Sequence, residues 1–354
     1  MSSNHLAEDV IELLMQLIEI PSFSGEESQT ADCIQNWLHS KGVETQRIQN
    51  NVFALNKHYD PSKPNLLLNS HHDTVLPNKA YTRDPHKAEI IDGKLFGLGS
   101  NDAGGALVSL LGLFVHFYAS ENLTYNLIIA ATAEEESSGP NGLNSLLKDL
   151  PNIDVAIVGE PTQMQLAIAE KGLVVFDAVV KGTAGHAAHP NNDNPILKSM
   201  DVMQWFQNLQ FDKVSETLGP VKLTITQINA GSQHNVVPSQ VNLVLDVRVN
   251  ECYTNQEIAD IVSQAPCEVT PRSLRLQSSS INEEHPLVVA GIAMGRNTYG
   301  SPTLSDQAAL SCPSLKLGPG DSTRSHTADE FIYTDEIKEA VRLYIELLYQ
   351  VITS

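Results

Sequence analysis

The chain has 354 residues, 42% hydrophobic and 18% charged, a balance that describes a globular and not a disordered protein and fits two or three folded domains. Its 22 basic and 42 acidic residues leave a net charge of −20, which argues against nucleic acid and anionic membrane as partners. Cys33, Cys252, Cys267 and Cys312 share no Cys-x-x-Cys spacing, so neither a disulfide framework nor a zinc knuckle is expected, and reduced thiols in the cytoplasm are.

Residues Met1 to His5 carry no basic n-region, and Glu8, Asp9 and Glu12 interrupt the apolar positions behind them; no signal peptide is expected. No apolar run approaches the ~20 residues of a membrane span. Ile11, Leu13, Leu14, Leu17 and Ile18 recur at helical spacing, which predicts a helix over 6–18 that ends before Pro21. Ser24-Gly25-Glu26-Glu27 has capping-box spacing and predicts a second helix running to Ser40. Strands are expected over 43–48, 52–55 and 66–69. Gly104-Gly105 opens a helix to Tyr118, followed by a buried strand over 126–132, a helix over 142–150 and a strand over 155–158. Strands alternating with helices imply an α/β layer with a mostly parallel central sheet flanked by helices. From Leu173 the texture changes to strands over 174–180, 221–228 and 241–249 with helices over 195–209 and 255–263. This reads as an inserted smaller α+β unit. From His285 the first texture returns: a helix over 286–299, a strand over 314–317 and a last helix over 334–352. The expected division is 1–172 with 282–354 as a discontinuous catalytic domain, and 173–281 as a lid or dimerisation domain.

Five stretches set acidic or His residues just beyond predicted strands. His71-His72-Asp73 ends the run Leu66-Leu67-Leu68; a His there can meet a metal while a carboxylate two residues on fixes its tautomer. Asp102 stands at the mouth of the glycine-opened helix, where it also suits a cap. Glu134-Glu135-Glu136 follows an apolar core strand, Glu160 follows the 155–158 strand, and His326 lies in the polar loop from Gly318 to Glu330. Each stretch alone also reads as an ordinary polar turn. Together they line one edge of an open sheet with imidazole and carboxylate donors, a set that suits Zn²⁺, Co²⁺ or Mn²⁺.

The order His71-x-Asp73, Asp102-x-Gly104-Gly105, Glu135-Glu136, Gly159-Glu160-Pro161 and His326-Thr327-x-Asp329-Glu330 resembles the M20 family of metallopeptidases and amidohydrolases over nearly the whole chain. The resemblance implies two divalent metal ions. His71 and Glu160 would hold one, Glu136 and His326 the other, and Asp102 both. It makes Asp73 the support of His71 and Glu135 the general base, with Glu134 aligned to the family's usual Asp. Gly185-His186-Ala187-Ala188-His189-Pro190 resembles the family's lid and makes His186 the oxyanion stabiliser, in its own or a partner subunit. Asn235 and Arg248 match substrate-contacting positions. His72 fills the x of His-x-Asp and, by strand alternation, points away from the ligand side. The implied activity is hydrolysis of a small N-acyl amino acid by a cytoplasmic homodimer. The loop from Gly318 to Glu330 looks closest to the acetylornithine deacetylase branch, so N-acetyl-L-ornithine is the expected substrate. N-succinyl-ornithine, N-acetylcitrulline, succinyl-diaminopimelate and dipeptides are alternatives, and a non-catalytic metal-binding interaction module is the rival outside enzymes.

Overall fold

The computed structural model describes residues 3–353; Met1 and Ser2, on which part of the no-leader expectation rests, and Ser354 lie outside the described residues. The chain divides into two compact units. One comprises Met1–Ile168, Ser280–Tyr299 and Ser305–Ser354, the other Ala169–Ser279 and Gly300–Leu304.

In the first unit the sheet runs in the order Gln46–Ile48, Asn51–Leu55, Asn126–Thr132, Asn65–His71, Val155–Val158, Ser314–Lys316 and Leu166–Glu170. The four strands from Asn126–Thr132 to Ser314–Lys316 are mutually parallel. They read as unbroken apolar runs because both of their faces are covered. Leu66, Leu68, Leu127 and Ile129 join one core cluster with side chains of the helices Ser3–Ile18, Gly105–Phe117 and Thr334–Ile352. Leu67, Ile128, Ala130 and Ala156 turn the other way, onto Leu143, Leu146 and Leu150. Gly105–Phe117 is apolar nearly all round, as a helix sunk between layers must be. Tyr344 Oη donates to Leu317 O at 2.5 Å and fixes the last helix at the exit of a core strand.

Register decides where function can sit. His71 pairs with Thr132, Asn69 with Val158, and Lys316 with Val158. The four parallel strands therefore end within two residues of one another, and their exit loops start from one edge.

Four local expectations are corrected. Ser24 does not cap the second helix, which spans Ser28–Ser40 with Glu27 at its N-cap and no side-chain cap bond; Ser24 Oγ donates to Asp73 Oδ2 instead, at 2.7 Å. The expected 43–48 strand is only Gln46–Ile48, set by its hairpin with Asn51–Leu55. The expected helix over 142–150 is the single turn Leu143–Leu146; beyond Leu147 the pattern tightens, with Asp149 N donating to Leu146 O. The helix over 286–299 stops at Ala293. Gly295, at φ +79°, takes the left-handed turn, and Arg296 N and Gly295 N donate to Gly291 O and Ile292 O, a Schellman stop before the strand Thr298–Ser301.

The second unit has a four-stranded antiparallel sheet in the order Lys222–Ala230, Gln240–Val249, Gly172–Lys181, Glu268–Pro271. Burial alternates along Gly172–Lys181, and the inward set Val174, Phe176, Ala178 and Val180 packs with Val202, Phe206, Ile258 and Val262 of the helices Pro195–Asn208 and Asn255–Val262. The latter helix begins on a capping box between Thr254 and Glu257. Among the described residues, no helix is long and apolar enough to cross a membrane.

Candidate metal centre

His71 is the last residue of the central strand and is 1% exposed. Its Nδ1 lies 3.0 Å from Asp73 O and 3.3 Å from Asp73 Oδ1, which fixes the ring and aims Nε2 outward. Buried Nε2 has no hydrogen-bond partner. Carboxylate oxygens of Asp102, Glu135 and Glu160 face it at 3.5, 3.9 and 3.9 Å. A buried imidazole nitrogen left open among carboxylates is the donor set a divalent cation of the zinc type takes. His72 turns the opposite way: its Nδ1 meets Thr30 Oγ1 at 2.8 Å and its Nε2 meets Asn50 O at 2.9 Å. Burial lowers its pKa to about 4, so it stays neutral with both nitrogens engaged.

Asp73 does more than orient His71. Its Oδ1 accepts from Glu135 N at 3.0 Å and its Oδ2 from Glu136 N at 3.1 Å, so the same carboxylate sets the backbone of the acidic triplet. Glu134, at φ +54°, curls back to accept from Asn141 N and Nδ2. Its carboxylate belongs to its own loop, while Glu135 and Glu136 reach the two histidines.

Asp102 sits in the turn Ser100–Gly104 between two strand exits, and its bond to Ala103 is cis. One oxygen lies 3.5 Å from His71 Nε2, the other 3.5 Å from His326 Nε2. His326 Nε2 also lies 3.0 Å from Glu136 Oε2. His326 holds φ +59°, a left-handed backbone that β-carbons resist and that recurs at functional loops. Gly318 permits the close approach of this loop to the Glu160 turn; a Cβ there would lie 2.5 Å from Glu160 O. Asp102 thus stands between two groups. Ligand atoms of His71, Asp102 and Glu136 lie within 4.8 Å of one another, as do those of His71, Glu135 and Glu160.

The charges of the site follow from burial. Burial lifts the Glu135 carboxyl well above the usual range, and Glu160, Asp306 and Glu136 add to the lift against His71. Burial opposes charge on both His71 and Asp102; against it, hydrogen bonding to Asp102 and Asp73 raises His71, and hydrogen bonding to His71 lowers Asp102. Hydrogen bonding to Glu136 raises His326 to about 9. The sequence reading missed Asp306. It is half-buried, accepts from Thr132 Oγ1 at 2.6 Å, and desolvation of its carboxyl raises it to about 6. Only its place after Ser305, as if in a cap, marked it in the sequence.

In the second unit, Gly185–His186 pairs with Val236–Val237, and Ala187 N donates to Asn235 O at 2.9 Å, so the backbones of His186 and Asn235 lie on adjacent paired segments. Both are exposed. Arg248 lies elsewhere, on the strand Gln240–Val249, where Asp246 accepts from its Nε and Nη2 at 2.9 and 3.1 Å.

Residues 67–350 match the sequence profile of peptidase family M20/M25/M40. The chain is 27% identical over 371 residues to succinyl-diaminopimelate desuccinylase of Wolbachia pipientis subsp. Culex pipiens (strain wPip), covering 96% of this chain and 92% of that protein. It is 26% identical over 381 residues to succinyl-diaminopimelate desuccinylase 2 of Ruegeria sp. (strain TM1040), covering 97% and 95%. Among solved structures it is similar in fold to aminopeptidase PepT of Bacillus cereus ATCC 10987, with a TM-score of 0.76 at 16% identity over 98% of each chain. It is also similar to the YXEP protein of Bacillus subtilis, described as a dinuclear metal binding peptidase from the M20 family, with a TM-score of 0.74 at 17% identity over 99% of each chain.

Proposed function

Matched over most of its length, the chain belongs to peptidase family M20/M25/M40, and from that membership we propose that it is a dinuclear metal-dependent amide hydrolase that removes an N-succinyl group from a small amino acid. The open His71 Nε2 among the carboxylates carries the hydrolase reading. The names of the relatives support the succinyl group.

His71 and Glu160 would hold one cation, Glu136 and His326 a second, and Asp102 both. Zinc is the proposed occupant, with cobalt or manganese able to replace it in a nitrogen and oxygen donor set. Such ions polarise the scissile carbonyl and make an attacking water acidic. Glu135 would take a proton from the attacking water and pass it to the amine nitrogen as the C–N bond breaks; the burial that raises its carboxyl makes it more basic than an exposed carboxylate. Asp73 holds His71 and the backbone of Glu135 and Glu136 in one arrangement. His186 is the proposed oxyanion donor, Asn235 a substrate contact, and Arg248 the carboxylate clamp, which must yield bonds to Asp246 when substrate arrives.

The second unit is the proposed lid and dimerisation region. Its edge strand Lys222–Ala230 is largely exposed, as are Ile196, Leu197 and Met200 on the helix Pro195–Asn208, which supports a symmetric homodimer. The deciding assay compares N-succinyl-diaminopimelate, N-succinylornithine, N-acetyl-L-ornithine, N-acetylcitrulline and a dipeptide on zinc- or cobalt-loaded protein. The succinyl compounds are expected to turn over fastest. A clear preference for N-acetyl-L-ornithine, the substrate that the loop from Gly318 to Glu330 suggests, would displace the succinyl reading. Metal binding with no hydrolysis of any compound would displace the enzyme reading.

A further inference from the structure

We propose that Glu330 is a positioning residue that ties Asp102 to the loop of His326 and thereby sets the occupancy of the Glu136–His326 cation site, an inference that rests on the metal-centre reading above. Glu330 lies four residues beyond His326 and is 2% exposed. Its Oε1 accepts from Asn101 N and Asp102 N, both at 2.9 Å, and its Oε2 accepts from Gly99 N at 3.3 Å. Its own carbonyl accepts from Gly97 N at 3.0 Å. The turn that presents Asp102 therefore hangs its amides on one side chain from another loop.

That segment organises itself only in part: Ser100 N donates to Gly97 O at 3.1 Å and Gly104 N to Gly99 O at 2.9 Å, and the amides of Gly99, Asn101 and Asp102 turn to Glu330. Gly97 and Gly99 hold φ +148° and +75°, outside helix and strand, and buried amides left without acceptors are costly. A single carboxylate meets three of them, and it comes from the loop that carries His326. Both ends of that loop are gripped elsewhere. Arg324 donates to Glu336 at 2.7 and 3.1 Å, and Asp329 accepts from Thr82 N, Thr82 Oγ1 and Arg83 N at 2.9, 2.5 and 2.9 Å. The loop also meets the Asp102 turn through Asn101, whose Nδ2 donates to Asp321 O at 3.0 Å and Ser325 Oγ at 3.4 Å and whose Oδ1 accepts from Asp321 N at 3.0 Å, but of these contacts Glu330 is the one that takes the Asp102 backbone amide. His71 and Glu160 follow directly from core strands and do not depend on it, whereas the spacing between Asp102 and His326 does.

The test titrates the metal-stripped full chain with zinc by competition calorimetry and counts bound ions by elemental analysis, for the unmodified protein, Glu330→Gln and Asp329→Asn. The unmodified protein and Asp329→Asn should each bind two ions. Glu330→Gln should keep one and bind the second about 10- to 100-fold more weakly, with the metal-free melting temperature close to that of Asp329→Asn. Two ions at unchanged affinity in Glu330→Gln would overturn the proposal. So would an equal loss in Asp329→Asn, since general loosening of the loop would then suffice. If Glu330→Gln fails to fold, Glu330→Asp, which withdraws the carboxylate by one methylene, reads the same two quantities. Absence of any bound ion in the unmodified protein would instead overturn the metal-centre reading.

Discussion

In the first unit, His71, Glu136 and Glu160 follow strands that are buried on both faces, and further carboxylates brace the site; in the second, His186 and Asn235 sit on a two-residue pairing and face solvent. Asp73 alone accepts from Ser24, Glu135 and Glu136 while bracing His71. Arg248 has one partner, two residues away on its own strand. The contrast suits the two tasks proposed for these regions. Holding like charges close together needs donors fixed to fractions of an ångström, which over-determined packing supplies. Meeting a substrate needs groups that can exchange partners, which exposed side chains with few bonds can do.

The comparison breaks most readily at Asp102. Asp102→Ala should lose both ions by elemental analysis and lower turnover on the order of 10³-fold or more, since it faces both histidines; loss of one ion alone would deny it a shared role. Glu135→Gln should lower kcat by about 10²- to 10⁴-fold while two ions stay bound. Unchanged hydrolysis in that variant would remove Glu135 as the base. His186→Ala should lower kcat by about 10²- to 10³-fold with metal content untouched; a fall in metal content would erase the division between the two regions. The smallest effect concerns the second unit alone. Hydrogen bonds from Lys213 and Thr254 lower Glu257 to about 2. A carboxylate lowered on folding adds stability above its unfolded value, near 4.5, and loses it as pH falls through the folded one. Thermal melts should therefore show Glu257→Gln less stable than the unmodified protein at pH 6, with the gap closing toward pH 2. A gap independent of pH would point to the capping-box geometry instead of the charge.

Much of the first unit was legible because its strands are continuous apolar runs of a kind only a covered parallel sheet needs. The Leu66-Leu67-Leu68 run and the 126–132 run declared themselves in that way. What escaped was set by partners distant in sequence. Ser24 has the spacing of a helix cap, and only the fold brings it to Asp73, 49 residues on. Asp306 looks like a loop residue until Thr132 approaches it from another strand. The short strands Glu89–Ile91 and Lys94–Phe96 carry no strong pattern, because the pairing of Phe331–Tyr333 with Lys94–Phe96 completes their sheet. The end of the helix at Ala293 was readable in principle, since Gly295 stood there as a stop signal.

The place of His71 in the sheet has a consequence for how the centre falls apart. Its strand lies between two parallel neighbours and is buried at all seven positions, so its amides exchange with solvent only when the whole unit unfolds. The loops of Asp102 and His326 are joined to each other largely through side-chain bonds, so they should open at lower cost than the sheet. Opening and closing should therefore occur on one side only, with His71 as the fixed half onto which the other half reassembles.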